Sequence, residues 1–134
     1  MASIRVEIFI EAPPQFIWDA ARDVGALHTR LVPGFVTDTR LDGDVRIVTF
    51  ASGLVARERI VDVNDEGRRL VWSVVDGQPT HHNGALQVFE EGEGSRVVWI
   101  ADLLPNELAR PIGAMMEHGM TAMKRAMEHQ FADA

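Results

Sequence analysis

The sequence predicts an α+β domain: a curved antiparallel sheet of six to seven strands, two short helices after the first strand, and one long C-terminal helix covering a sheet face. Three observations predict it. Ile4, Val6, Ile8 and Ile10 alternate with Arg5, Glu7, Phe9 and Glu11, the period-two pattern of a half-buried strand. From Phe35 to Leu104, apolar stretches of strand length are cut by glycine-containing turns. From Asn106 to Phe131, the residues Ile112, Met116, Met120, Met123, Met127 and Phe131 recur at intervals of three and four, which lays one apolar stripe along a helix.

The first strand stops at Ala12-Pro13-Pro14. Proline lacks the N–H that a strand ladder needs but is tolerated in a first helical turn, so Gln15 to Asp23 reads as a short helix with Phe16, Ile17 and Ala20 inward. Val24 to Val32 reads as a second, closed by Pro33-Gly34. The remaining strands are Phe35–Leu41, Val45–Ala51, Leu54–Asn64, Arg69–Val75, His81–Glu90 and Arg96–Leu104. Asp42-Gly43 and Ser52-Gly53 between them favour tight hairpins. In the last helix Pro111 is cheapest as an early residue, with Asn106 to Arg110 as a turn leading in, because proline in a helix interior costs about 3 kcal/mol. All methionines other than Met1 lie in this segment. Methionine fills irregular space and adapts to changing shapes. Gly119 interrupts their stripe at a cost of about 1 kcal/mol relative to alanine. Something must therefore approach closely there, or the helix leaves room. A curled sheet facing such a helix has space for a cavity.

At 134 residues the chain, 1–134, is one domain. It has no cysteine, which removes disulfides, thiolate nucleophiles and thiolate metal sites. The formal net charge of -7 argues against a nucleic-acid partner and against adsorption to an anionic membrane. No apolar run reaches the roughly 20 residues of a membrane span, and the opening strand has no signal-peptide pattern. The expectation is a cytoplasmic protein without membrane insertion.

Three stretches carry a family resemblance. Glu11-Ala12-Pro13-Pro14-Gln15-Phe16-Ile17-Trp18, Ala56-Arg57-Glu58-Arg59-Ile60, and Gly94-Ser95-Arg96-Val97-Val98-Trp99 with its strand ending at Pro105 resemble, in order and spacing, START-like (SRPBCC) proteins of the polyketide cyclase/dehydrase branch. The resemblance implies the helix-grip fold of the birch pollen allergen, with a cavity between sheet and long helix. Members bind lipids, sterols, hormones or polyketides; a minority catalyse cyclisation or dehydration, and one relative stimulates a chaperone's ATPase. In some relatives the glutamate matching Glu58 faces the ligand, and the position matching Trp72 lines the cavity. The segment Gly25-Ala26-Leu27-His28-Thr29-Arg30-Leu31-Val32-Pro33 departs from the pattern, lacking the tryptophan and second aromatic or histidine of many relatives.

Alternation assigns the inward faces. Val97, Trp99, Ala101 and Leu103 are uniformly apolar and face in, as do Leu70, Trp72 and Val74, then His82, Gly84, Leu86 and Val88, and lastly Ala56, Glu58 and Ile60. The candidate ligand-binding residues are Phe50, Ala56, Glu58, Trp72, Val74, His82, Gly84, Trp99, Met116, Gly119 and Met120. An inward Glu58 needs a partner, because burial disfavours its charge. His82 and Arg46 are the candidates. Paired with His82, Glu58 is a candidate general acid–base for a bound carbonyl compound; paired with an arginine, it is structural or anchors a ligand. His81 and His82 point to opposite faces and do not share a metal, and His118 and His129 stand at no ligand spacing on the helix. No metal or other cofactor is expected. Arg57 and Arg59 belong outside, beside acidic neighbours. The partner expected is a small hydrophobic molecule, bound by a carrier or sensor, with an enzyme acting on it or a protein-interaction domain as alternatives. Phe9, outward on the first strand, is a candidate homodimer contact.

Overall fold

The computed structural model describes residues 2–134. Seven strands form one sheet: β1 (Ala2–Ile10), β2 (Val36–Asp42), β3 (Val45–Phe50), β4 (Val55–Asn64), β5 (Arg69–Val74), β6 (His81–Glu91) and β7 (Gly94–Leu104). The spatial order is β1-β7-β6-β5-β4-β3-β2, every neighbouring pair antiparallel. The first strand thus lies beside the last, and β2 takes the opposite edge. Asp42 pairs with Val45 and Glu91 with Gly94, leaving the two-residue loops Gly43-Asp44 and Gly92-Glu93. Their glycines sit at φ 62° and 58°, the left-handed region that a Cβ penalises and tight hairpins require. Register shifts at Val36/Asp38 and Ile60/Asp62 are bulges, which bend a strand and add twist. They fall in the half of the sheet remote from β1.

Helix α1 (Pro14–Arg22) carries Pro14 in its first turn, and Ile17, Trp18, Ala20 and Ala21 are its buried residues. Phe16 is only half-buried, and the fully buried anchor is Trp18. Its indole Nε1 donates to Asp65 Oδ1 at 2.9 Å, and Arg22 Nε donates to the same oxygen at 2.7 Å. This ties α1 to the β4–β5 turn. The second short helix is not an α-helix from Val24 to Val32 but one π-helical turn, Leu27–Leu31. The Val32 N–H reaches back to the Leu27 carbonyl at 3.0 Å. Pro33 cannot donate to continue an α-helical ladder, and Gly25 passes so close to Leu41 that a Cβ there would lie 3.0 Å from Leu41 Cδ1. The segment is confined at both ends.

A 3₁₀ turn (Asn106–Leu108) leads into the long helix α2 (Ala109–Ala132). Pro111 is its third residue, where a missing N–H leaves no intrahelical bond unmade. Met116, Gly119, Met120, Met123 and Met127 are its buried residues. Phe131 departs from the stripe at 41% exposure, its ring packed edge-on against Phe16 at 5.2 Å between centroids. Arg57 and Arg59 lie outside as expected, 3.7 Å from Asp42 and 3.5 Å from Asp44.

Gly119 and Gly84 admit aromatic rings of the interior. A Cβ on Gly119 would lie 3.0 Å from both Phe35 Cε2 and Trp99 Cζ3, so two aromatic rings occupy the notch in the methionine stripe. A Cβ on Gly84 would lie 2.5 Å from Trp72 Cε2, since Trp72 stands directly opposite on β5 and lays its indole over that bare backbone. Gly84→Ala is therefore expected to lower unfolding free energy by about 1–3 kcal/mol through overpacking. Denaturant midpoints of the two proteins check this; equal midpoints would mean that Trp72 moves aside freely.

Candidate ligand-binding cavity

The backbone of α2 comes closest to β1. On the other side, helix and sheet diverge around a cavity of about 70 Å³. Its floor comes from β3 to β7, with Arg46, Phe50, Glu58, Leu70, Trp72, His82, Leu86 and Trp99. Its roof comes from α2, with Ile112, Met115, Met116 and Met123. Leu27, Leu31 and Val32 of the π-helical turn, with Phe35 and Val36, close the end. No β1 residue takes part.

Against this apolar lining stand a few polar groups. Arg46 and Glu58 are cross-strand neighbours on β3 and β4, 3% and 8% exposed. Arg46 Nε donates to Glu58 Oε1 at 2.8 Å, and the guanidinium carbon lies 5.3 Å from the centroid of the Trp72 ring. A charge buried this deeply is sustained by the opposite charge and the aromatic face together. Trp72 and Trp99 meet as tilted rings 6.2 Å apart. His82 is half-buried in the same wall. Burial, and secondarily electrostatic repulsion by the neighbouring His81, hold its pKa below the ordinary 6.5, which favours the neutral imidazole at neutral pH.

Six of the residues picked out in the sequence meet at this cavity: Phe50, Glu58, Trp72, His82, Trp99 and Met116. The other five do not line it. Ala56 and Val74 lie further along their strands, half-buried, and Met120 is packed in the core. Gly84 and Gly119 are covered by the rings they admit. Glu58 takes its hydrogen bond from Arg46, and none joins it to His82; the carboxylate–imidazole pair does not form. His81 points away, its Nε2 2.7 Å from Asn83 Oδ1. Among the described residues no three His, Asp or Glu side chains are grouped as metal ligands. The candidate set lacked Arg46 and the end wall of Leu27, Leu31, Val32 and Phe35. Arg46 is in phase with Val48 and Phe50 along its strand, which was the available signal.

Residues 1–133 match the family described as polyketide cyclase / dehydrase and lipid transport. The chain belongs to that family. Its structure resembles an uncharacterised protein from Bacillus thuringiensis at TM-score 0.83 and 21% identity, over 94% of this chain and 98% of the other. It resembles the protein XoxI from Bacillus cereus at TM-score 0.79 and 23% identity, over 99% and 97%. Norcoclaurine synthase from Thalictrum flavum is similar at TM-score 0.74 and 20% identity, over 99% and 87%. At such identities these likenesses establish the helix-grip fold. No curated protein matches the sequence. Among the described residues, no helix is long and apolar enough to cross a membrane.

Two outcomes follow from the buried polar groups. Arg46→Met alone strands the Glu58 charge and is expected to cost about 3–5 kcal/mol, whereas the double replacement Arg46→Met with Glu58→Met is expected to be near neutral. Equal losses in the two proteins, measured by denaturant unfolding, would contradict this. For His82, the folded pKa lies below the unfolded one, so the folded chain binds fewer protons and loses stability as pH falls through 6.5 toward the folded value. His82→Asn is expected to flatten the dependence of unfolding free energy on pH between about 7 and 5.5, above the carboxylate range.

Proposed function

We propose that this chain binds a small, mainly apolar molecule in the cavity between α2 and the sheet, as a carrier or sensor. The observation that carries the reading is the make-up of that cavity: an apolar lining interrupted by Arg46, Glu58 and His82. A concave apolar site with a few convergent polar groups is the usual form of a small-molecule site. The family's description, which includes lipid transport, supports the same class of guest.

Size limits the guest. About 70 Å³ is well below the roughly 300–1,000 Å³ of common ligand pockets, and about half of a cavity that admits benzene. In this conformation it accepts only a few non-hydrogen atoms. A sterol or fatty acid requires Met115, Met116 and Met123 to swing aside, which unbranched thioether side chains do at low cost. An enzymatic reading through Glu58 has less support, because Arg46 already holds that carboxylate.

Native mass spectrometry and ligand-observed NMR with a graded series of apolar compounds test the proposal. Ile112, half-buried on the roof, is the residue to enlarge. Ile112→Trp is expected to weaken binding at least tenfold, about 1.4 kcal/mol, while melting temperature stays within a few degrees. Undiminished binding in that variant would move the site elsewhere.

A further inference from the structure

We propose that the guest is an uncharged molecule whose apolar body carries one oxygen acceptor of the ketone or ester kind, received by Arg46 Nη1 and Trp99 Nε1. This rests on the reading of the cavity as a binding site and adds the polarity and charge of what enters it.

Four buried side-chain polar atoms find no hydrogen-bond partner among the described residues: His28 Nδ1, Thr39 Oγ1, Arg46 Nη1 and Trp99 Nε1. Buried polar groups are satisfied in the great majority of cases, so each such atom asks for a cause. His28 and Thr39 stand outside the cavity lining, whereas Arg46 and Trp99 both belong to it. The latter two atoms are alike in kind. Guanidinium and indole nitrogens donate and never accept. The Nε of Arg46 is committed to Glu58 Oε1 at 2.8 Å, and Nη1 is buried without a partner on a side chain only 3% exposed. Each donor without an acceptor in that apolar lining is complementary to an oxygen brought in from outside.

Charge decides which oxygen. The Glu58 carboxylate already balances the Arg46 guanidinium, so the wall carries no net charge from this pair. A carboxylate guest would add an uncompensated negative charge to a site lined by Leu31, Leu70, Leu86 and methionines, and burial of an unpaired charge is heavily disfavoured. A pure hydrocarbon would fill the space but leave both donors unmet. An uncharged carbonyl oxygen meets them and adds no charge. The site therefore discriminates twice, against the hydrocarbon by hydrogen bonding and against the acid by desolvation.

Shape-matched probes separate these terms. Cyclopentanone, methylenecyclopentane and cyclobutanecarboxylate form a small set; acetophenone, α-methylstyrene and benzoate form a larger one for a wall that yields. Each is titrated into the full chain while the tryptophan indole N–H signals are followed by NMR, the Trp99 signal being assigned by its loss in Trp99→Phe. The expected result is that the ketone of a set binds at least about tenfold tighter than its hydrocarbon and its carboxylate, and that it shifts the Trp99 indole proton downfield. Trp99→Phe reduces the ketone's advantage several-fold. The double variant Arg46→Met with Glu58→Met, which removes both charges together, brings the ketone to the level of the hydrocarbon. Equal binding of ketone and hydrocarbon overturns the inference and leaves the cavity reading intact, with water as the ordinary partner of the two donors. Tightest binding by the carboxylate overturns it as well. Failure of every probe to bind at the cavity overturns both readings.

Discussion

One helix cannot cover seven strands. Strands about 4.8 Å apart make a seven-stranded sheet roughly 29 Å wide, while a helix with its side chains is about 10–12 Å across. Most of the inner face must be closed by curling the sheet or by other elements. This chain curls its sheet with bulges in β2 and β4 and sets α2 off-centre, against β1. Strand β1 consequently contributes nothing to the cavity. The opposite side, under β3 to β7, holds the cavity, and its position follows from where the single helix is placed.

What remains to be closed there is closed with side chains that keep low or move easily. Gly84 lets the Trp72 indole lie against β6, and Gly119 lets Phe35 and Trp99 sink into the surface of α2. With a Cβ at either position the rings would be pushed into the space they now border. The roof is methionine, which packs without fixing a shape. The end wall is the π-helical turn, whose Leu27 and Leu31 face inward four residues apart.

Much of this was legible in the sequence because alternation on a strand is rigid. Once Val97, Ala101 and Leu103 are placed inward, Trp99 must follow, and all four are buried or partly so. The same rule brought Glu58 to the inner face, where it is 8% exposed. Less legible was the depth of each residue along its strand. Ala56 and Val74 share the correct face yet miss the cavity, since a period of two gives the side of a sheet but not the place where a helix stands off from it. The end wall was hidden for a different reason. The Val24–Val32 segment has the apolar spacing of a helix, but confinement between Gly25 and Pro33 decides that only one wide turn forms. Gly119 signalled a close approach without saying what approached. Phe35, which stands in the notch, is distant in sequence.

The buried pair explains why the polar part of the cavity lies on β3 and β4. A lone Glu58 on the inner face would be untenable, and a lone Arg46 equally so; cross-strand pairing makes the two a neutral unit that an apolar wall can hold. Such a pair contributes little net stability, because desolvation offsets most of the attraction. Its place in the lining of the cavity therefore calls for a reason other than folding. The guanidinium has more donors than one carboxylate oxygen uses, and an unmet buried donor costs about 1–3 kcal/mol. Arg46 Nη1 and Trp99 Nε1 together keep a deficit of that kind in the wall of the cavity. In the binding mode proposed above, a guest that supplies an acceptor recovers it, and part of its binding energy is the relief of that unsatisfied interaction.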